Sequence, residues 1–126
     1  MQNTALIDSH CHLADPKLRD HLDALLSRAS DAGVKEIIAV GAIESIEVDR
    51  MTVAIAEKYP GVFAAVGVHP HNANDCDSAR IEALRALAKS QKVVAIGETG
   101  LDLHYMHSPA EAQEQSLRRH LELAAE

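Results

Sequence analysis

Four short apolar segments, each followed by residues with helical spacing, set the strongest limit on how this chain can fold. The segments are 5–12, 34–41, 62–68 and 93–97. The third, VFAAVGV, is continuously apolar, which is typical of a strand that is covered on both faces. Strands that alternate with helices form right-handed βαβ units and a parallel sheet. The sequence therefore predicts an α/β protein with a parallel sheet of about four βα units.

Capping residues indicate where the predicted helices begin and end. Asp15 and Pro16 suit the start of a helix that runs to Gly33, a residue typical of a helix C-terminus. Ser108 and Glu111 resemble a capping box for the last helix. The apolar faces of the four helices are expected at Leu18, Leu22, Leu25, Leu26 and Ala29; at Val48, Met51, Ile55 and Tyr59; at Ile81, Leu84, Leu87 and Ala88; and at Leu117, Leu121 and Ala124.

Two architectures fit this alternation, an open doubly wound sheet and part of a (β/α)8 barrel. No G-x-G-x-x-G motif follows the first segment, which disfavours the dinucleotide-binding version of the open sheet. Polar residues that suit an active site lie at or directly after the C-terminal ends of three of the segments: His10 and His12, then His69, then Glu98. Barrel enzymes collect such residues from the C-terminal ends of several strands. This placement favours the barrel.

Composition narrows the class of protein further. A chain of 126 residues with 47% hydrophobic residues is expected to form a single globular domain, residues 1–126. A net charge of −7 and an aromatic content of 2% argue against a broad phosphate-binding surface and against extensive base stacking. Cys11 and Cys76 lack C-x-x-C spacing and fit a reducing compartment. Neither a signal peptide nor a membrane span is evident, so we expect a cytoplasmic protein.

The motif DSHCHL places His10 and His12 two residues apart on a predicted strand, where alternate side chains share a face. One metal ion can therefore hold both imidazoles. Glu98 continues an apolar face of the fourth segment, and a carboxylate there is costly to bury unless it is paired or bound to metal. We predict a metal site of His10, His12 and Glu98, with donors that suit zinc, manganese or iron better than calcium. Cys11 faces the opposite side, and Asp8 is a candidate for orienting a histidine. The alternative is surface histidines and an exposed Glu98.

The motifs GVHPH and GETGLD supply further candidates. His69 is expected near a substrate phosphate or a metal-bound water, or else it caps the end of a strand. Asp102 orients a ligand or substrate, or else it forms an Asx-turn. His71 is interpreted as a strand-end residue. The remaining histidines are expected at the surface, at His21, His104, His107 and His120. The chain has no G-x-S-x-G motif, which argues against a serine nucleophile.

DSHCHL, GVHPH, GETGLD and the helix QEQSLRRHLELA together resemble, in order and spacing, the TatD family of metal-dependent deoxyribonucleases. The resemblance covers nearly the whole chain. It implies a (β/α)8 barrel of the amidohydrolase type and hydrolysis of DNA phosphodiesters, often as an exonuclease. It also implies one or two divalent ions (Mg, Mn or Zn) in each complete site. His10 and His12 match the family's metal ligands, Glu98 matches its metal-bridging glutamate, and His69 matches a histidine near the site.

The chain departs from the family in length, because a typical full barrel has roughly 250 residues. Two histidines and an aspartate that complete the family's site have no counterpart here. We therefore expect the N-terminal half of a barrel that is weakly active or inactive alone. Its open strand edges would pair with a second copy, as a homodimer, or with a missing C-terminal half. Two other classes remain open: a related hydrolase of cyclic amides or lactones, and a non-catalytic interaction module.

Overall fold

A computed structural model describes residues 4–126, in which four parallel strands form one sheet. The strands are β1 (Leu6–Cys11), β2 (Val34–Val40), β3 (Val62–Val66) and β4 (Val93–Ile96). Their order in the sheet is β1-β2-β3-β4, so each βα unit lies beside the next. The predicted α/β class with four parallel strands is confirmed. The expected domain also includes residues 1–3, which lie outside the described residues.

Five α-helices and one 3₁₀ helix lie between or after the strands of the described chain. They are α1 (Pro16–Arg19), α2 (Leu22–Asp31), α3 (Ile46–Lys58), the 3₁₀ helix (Pro70–Asp75), α4 (Ser78–Leu87) and α5 (Ala110–Ala124). The main core lies between the helices and one face of the sheet, and its strand residues include Ile37, Ala39, Ala64 and Val66. The opposite face carries a smaller apolar cluster of Ile38, Val40, Ala42 and Ala65. Burial of both faces explains why β3 is continuously apolar.

The region between β1 and β2 was expected to be one helix and is instead two. His21 has φ −129° and ψ 22°, which are not helical values, so the predicted helix is interrupted between α1 and α2. The expected ends are confirmed. Asp15 Oδ1 accepts a hydrogen bond from the Lys17 amide at 2.8 Å, and Gly33 takes the left-handed conformation with φ 97°.

The predicted apolar faces of α3 and α5 are wrong in part, because both helices bury polar side chains. In α3, Met51 is exposed and Asp49 is fully buried. In α5, Leu121 is 62% exposed, whereas His120, expected at the surface, is 1% exposed. The capping box is also absent: Ser108 donates its hydroxyl to the His71 carbonyl oxygen instead of capping α5. Polar residues occupy buried helix faces when they find hydrogen-bond partners there.

None of the helices in the described part of the chain is both long and apolar enough to span a membrane. Cys11 and Cys76 are both free thiols, as expected from their spacing. The Cys11 thiol lies 3.9 Å from the Ile38 carbonyl oxygen, against the main core. Burial, with a smaller contribution from Asp8, raises the pKa of Cys11 to about 11, so this thiol stays protonated at neutral pH.

Candidate metal centre

The C-terminal ends of β1, β3 and β4 bring the predicted site residues together. His10, His12 and Glu98 each offer a ligand atom, and these atoms all lie within 4.8 Å of one another. Glu98 Oε2 lies 3.3 Å from His10 Nε2, and Glu98 Oε1 lies 3.5 Å from His69 Nε2. The carboxylate of Glu98 therefore lies between a histidine of β1 and a histidine that follows β3. Two imidazoles and a carboxylate at this separation fit a divalent transition metal ion.

The His12 ring is oriented by the neighbouring strand. Its Nδ1 donates to the Val40 carbonyl oxygen at 2.9 Å, which leaves Nε2 free to bind a cation. A hydrogen bond of this kind is the usual way in which a metal-binding histidine is fixed in one tautomer and orientation. Asp8 is not seen in the orienting role considered for it: within the described residues its carboxylate accepts the backbone N–H of His10 at 3.1 Å and hydrogen-bonds to neither imidazole. Cys11, on the other face, is outside the cluster as expected.

His69 follows β3 and is the N-cap of the 3₁₀ helix. Its Nδ1 accepts the backbone N–H of His71 at 3.1 Å, so in the neutral ring the proton is on Nε2, which faces Glu98. Burial lowers the pKa of His69, and the nearby Glu98 carboxylate opposes that effect. The structure thus places His69 beside Glu98 and shows its side chain capping the 3₁₀ helix after the strand, while a role near a substrate phosphate or a metal-bound water stays a prediction.

Asp102 forms the turn considered for it, whereas its role in orienting a ligand or substrate stays a prediction. Its Oδ1 accepts the backbone N–H groups of His104 and Tyr105 at 3.0 and 3.1 Å, which forms an Asx-type turn. Its Oδ2 lies 2.5 Å from His71 Nε2. The Tyr105 amide first, and then His71, lower the pKa of Asp102 to about 2. Asp102 is therefore a carboxylate at neutral pH and holds the His71 ring in place.

His71 lines the same small cavity as the predicted ligands, although its position in the sequence suggested only a strand-end residue. The cavity has a volume of about 240 Å³ and is lined by His10, His12, Ile43, His69, His71, Asn72 and Glu98. A sequence signal for His71 existed in the H-P-H spacing. The intervening Pro70 begins the 3₁₀ helix, and His71, its second residue, lines the cavity next to His69.

Asp49 is a supporting residue that the sequence pattern did not reveal. Its buried carboxylate accepts the backbone N–H of Ala42 at 2.8 Å through Oδ1 and contacts Arg80 Nη2 at 3.0 Å through Oδ2. Burial raises the pKa of Asp49, while the amide donors and the Arg80 guanidinium oppose the rise. The one signal in the sequence is the nearby Gly41, where a Cβ atom would lie 2.4 Å from Asp49 Oδ1.

Comparison with known proteins decides between the related families that share such a site. Residues 7–126 match the model of the family described as TatD related DNase. The chain belongs to the TatD family. The family predicted from the three motifs and the last helix is thereby confirmed.

Curated members of the TatD family match along nearly the whole of this chain. The metal-dependent hydrolase YabD of Bacillus subtilis, itself uncharacterized, is 35% identical over 125 residues, covering 96% of this chain and 47% of that protein. A protein from Pantoea sp. named 3′-5′ ssDNA/RNA exonuclease TatD is 36% identical over 124 residues, covering 96% of this chain and 46% of that protein. The chain spans about half the length of the curated relatives it matches.

A solved TatD structure supports the same placement. The crystal structure of YjjV, a TatD homologue from Escherichia coli, superposes with a TM-score of 0.84 at 36% sequence identity. The match covers 94% of this chain and 46% of that one. The expectation that this chain has the fold of part of a TatD barrel, with four of its βα units, is confirmed.

Proposed function

We propose that His10, His12 and Glu98 of this TatD-family chain bind a divalent ion in a site that hydrolyses phosphodiester bonds of DNA. The observation that carries the proposal is the convergence of their three ligand atoms within 4.8 Å at the C-terminal ends of the strands. The direction of hydrolysis is proposed as 3′ to 5′, as in the name of the Pantoea relative. Magnesium, manganese and zinc are the candidate ions, one or two in each complete site.

The predicted site residues and His71 each have a proposed role. A divalent ion bound in the cavity would lower the pKa of a water molecule and polarise a phosphoryl oxygen. His12, fixed by the Val40 carbonyl, and His10 offer nitrogen atoms to the ion, while Glu98 offers a carboxylate. His69 directs its Nε2–H toward Glu98, where it would donate to a phosphate oxygen. Asp102 acts through His71, whose ring it holds at the cavity wall, and so helps to position substrate.

The charge of the chain restricts how such a substrate would be held. With a formal net charge of −7, the chain offers no general attraction for a polyanion. The binding energy must therefore come from local contacts, made by the ion and by the imidazoles that line the cavity. We propose a substrate that binds by its terminal nucleotides rather than along a broad surface.

We also propose that the site is completed across the open edges of the sheet. Within the described residues, β1 and β4 each pair with a single neighbouring strand, so each has one edge free for a further strand. A second copy of the chain or a C-terminal half barrel would fit these edges and add ligands to the site. The chain alone is then expected to be weakly active or inactive.

The experiment that tests the site measures Mn²⁺ binding and DNA hydrolysis with the same samples. The chain, alone and mixed with the C-terminal half of the Pantoea relative, is incubated with a 5′-labelled single-stranded oligonucleotide. We expect binding of Mn²⁺, stepwise shortening from the 3′ end mainly in the mixture, and loss of both on addition of a chelator. His10→Ala and Glu98→Gln should weaken Mn²⁺ binding at least about tenfold, as expected for the loss of a ligand.

His21→Ala is the matched control, since His21 is exposed and lies between α1 and α2, outside the cluster. Unchanged Mn²⁺ binding in both His10→Ala and Glu98→Gln would contradict the ligand assignment. Hydrolysis of a cyclic amide or a lactone by the mixture, with the oligonucleotide left intact, would instead support the related hydrolase class.

A further inference from the structure

The backbone of the three residues that follow β3 determines where the His69 side chain lies. The ladder of β3 ends at Val66, and the next residues are Gly67, Val68 and His69. Gly67 and Val68 are buried, and a buried backbone N–H needs an acceptor. We name these residues the 67–69 segment. Their three N–H groups donate to α3, to α5 and to the loop after β2 respectively.

The first N–H is held from α3. Gly67 donates to Asp49 Oδ1 at 3.2 Å, and the same oxygen accepts the Ala42 amide at 2.8 Å. The third N–H of the segment, that of His69, donates to the Ala42 carbonyl oxygen at 2.8 Å. The Asp49 carboxylate therefore binds one end of the segment directly and also fixes the residue that accepts at the other end.

The second N–H is held from α5. Val68 donates to His120 Nε2 at 2.8 Å. His120 Nδ1 lies 2.7 Å from the Ser116 carbonyl oxygen, which accepts only, so Nδ1 carries the proton and Nε2 is the acceptor. The His120 side chain is neutral and buried, and both of its ring nitrogens form hydrogen bonds. It has no contact with the cavity, and its role is to supply an acceptor that no neighbouring strand provides.

We propose that Asp49 and His120 are positioning residues, which fix the 67–69 segment from two helices and thereby direct the His69 imidazole toward Glu98. The inference rests on the proposed function, in which His69 contacts substrate. Acceptors on side chains replace the strand ladder at the point where the backbone must turn out of the sheet. Loss of either acceptor leaves the strand intact and releases the backbone that presents His69.

Amide hydrogen exchange of the chain, without metal or substrate, tests this inference independently of hydrolysis. We expect the Val68 amide of the wild-type chain to exchange as slowly as the amides of β3. In His120→Leu its exchange should accelerate about tenfold more than that of Ala39 in β2, the factor that corresponds to one lost hydrogen bond. The ring-proton NMR signals of His69 should shift in the same variant, because the imidazole is no longer held in one orientation.

Conservative variants separate positioning from general stability. His120→Gln retains a side-chain acceptor for Val68 and should restore both the slow exchange and the His69 signals. Asp49→Asn retains an acceptor oxygen, whereas Asp49→Leu does not. The Gly67 amide should therefore exchange slowly in Asp49→Asn and faster in Asp49→Leu. Ser116→Ala is the matched control on the same face of α5, because the buried Ser116 hydroxyl has no hydrogen-bond partner in the structure.

The outcomes that would overturn the inference are equally specific. Rapid exchange of Gly67 and Val68 in the wild-type chain, at the rate of an exposed loop residue such as Leu103, would contradict it even if the leucine variants do not fold. So would a uniform acceleration of all core amides in His120→Leu with His69 signals unchanged. A negative hydrolysis assay with the expected exchange pattern would contradict the proposed function alone.

Discussion

Gly67 and Gly97 face each other across the ends of β3 and β4, so closely that a Cβ atom on Gly67 would lie 2.8 Å from the Gly97 carbonyl carbon. The contact involves backbone atoms, which cannot rotate away as a side chain can. The adjacent Gly97 amide donates to the Val66 carbonyl oxygen at 2.8 Å. This close approach places the residue after Gly97, which is Glu98, within reach of His69.

Gly67→Ala is therefore expected to destabilise the chain and to separate β3 from β4. The added methyl group must displace backbone, and overpacking of this kind costs about 1–3 kcal/mol of the free energy of unfolding. Urea denaturation followed by circular dichroism would measure the change. Gly97→Ala is the control, since its Cβ atom would meet nothing closer than the Thr99 nitrogen at 3.8 Å. An equal loss in the two variants would show that the close contact is not the cause.

Arg80→Met is expected to lower the free energy of unfolding by about 3–5 kcal/mol, because it leaves the Asp49 carboxylate buried without its cation. The Arg80 side chain is 10% exposed and Asp49 is fully buried. Arg118→Met is the matched change on the surface, where Arg118 pairs with Glu114 one turn away on α5 and both are exposed. That exposed pair is screened by solvent and should contribute much less than the buried pair. Thermal unfolding of both variants would compare them, and similar losses would argue against a special role for the buried pair.

Gln113→Leu is expected to open the loop that carries Asp102. The buried Gln113 side chain accepts the Asp102 amide at 2.6 Å and donates to the Ser108 carbonyl oxygen at 2.8 Å. Leucine fills similar space but leaves these groups without partners, at a cost of about 1–3 kcal/mol for each buried group. Limited proteolysis should then cut within residues 102–108. Gln115→Leu, at an exposed position of the same helix, should leave the loop resistant, and equal cleavage of both variants would refute the expectation.

The buried His120 should make stability depend on pH. Burial, and to a smaller extent the Arg80 charge, lower the pKa of His120 from its ordinary value of 6.5, while the Ser116 carbonyl opposes the shift. A histidine with a depressed pKa in the folded state stabilises the fold above its unfolded pKa, and this contribution is lost as the pH falls below about 6.5. Acidification from about pH 7.5 to 5 should therefore destabilise the wild-type chain more than His120→Gln.

Urea midpoints of the wild-type chain, His120→Gln and Ser116→Ala at a series of pH values would check this dependence. His69, whose pKa is also lowered, is present in all three, so the difference between the curves reports His120. Ser116→Ala should follow the wild-type curve. Parallel curves for the wild-type chain and His120→Gln would contradict the expectation.

Much of the fold and the centre of the candidate site were predictable because the relevant signals are local. The strand periodicity placed His10 and His12 on one face, and the C-terminal ends of parallel strands necessarily lie at one edge, where Glu98 joins them. Asp15 and Gly33 marked helix ends through conformational preferences of single residues. None of these inferences needs knowledge of a distant partner.

The parts that could not be predicted depend on partners that are remote in the sequence. Asp49 lies 18 residues from Gly67, and His120 lies 52 residues from Val68. A helical pattern assigns Asp49 and His120 to the solvent side because they are polar. The predicted apolar faces of α3 and α5 therefore differ from the faces that are buried in the structure. Burial of these two side chains is favourable because each meets a buried amide that the end of β3 leaves without a strand acceptor, and Asp49 also meets the Ala42 amide and the Arg80 guanidinium.

The hydrogen bond between Val68 and His120 of α5 affects where the chain can be divided into fragments. The last helix supplies an acceptor to Val68 in the segment that follows β3, so a cut between β4 and α5 would divide a hydrogen-bonded unit even though it falls in a surface loop. Fragments that carry only the four strands would retain the imidazoles of β1 and lose the acceptor that fixes the backbone before His69. Recombination or permutation of such barrels should therefore tolerate breaks after α5 better than breaks before it.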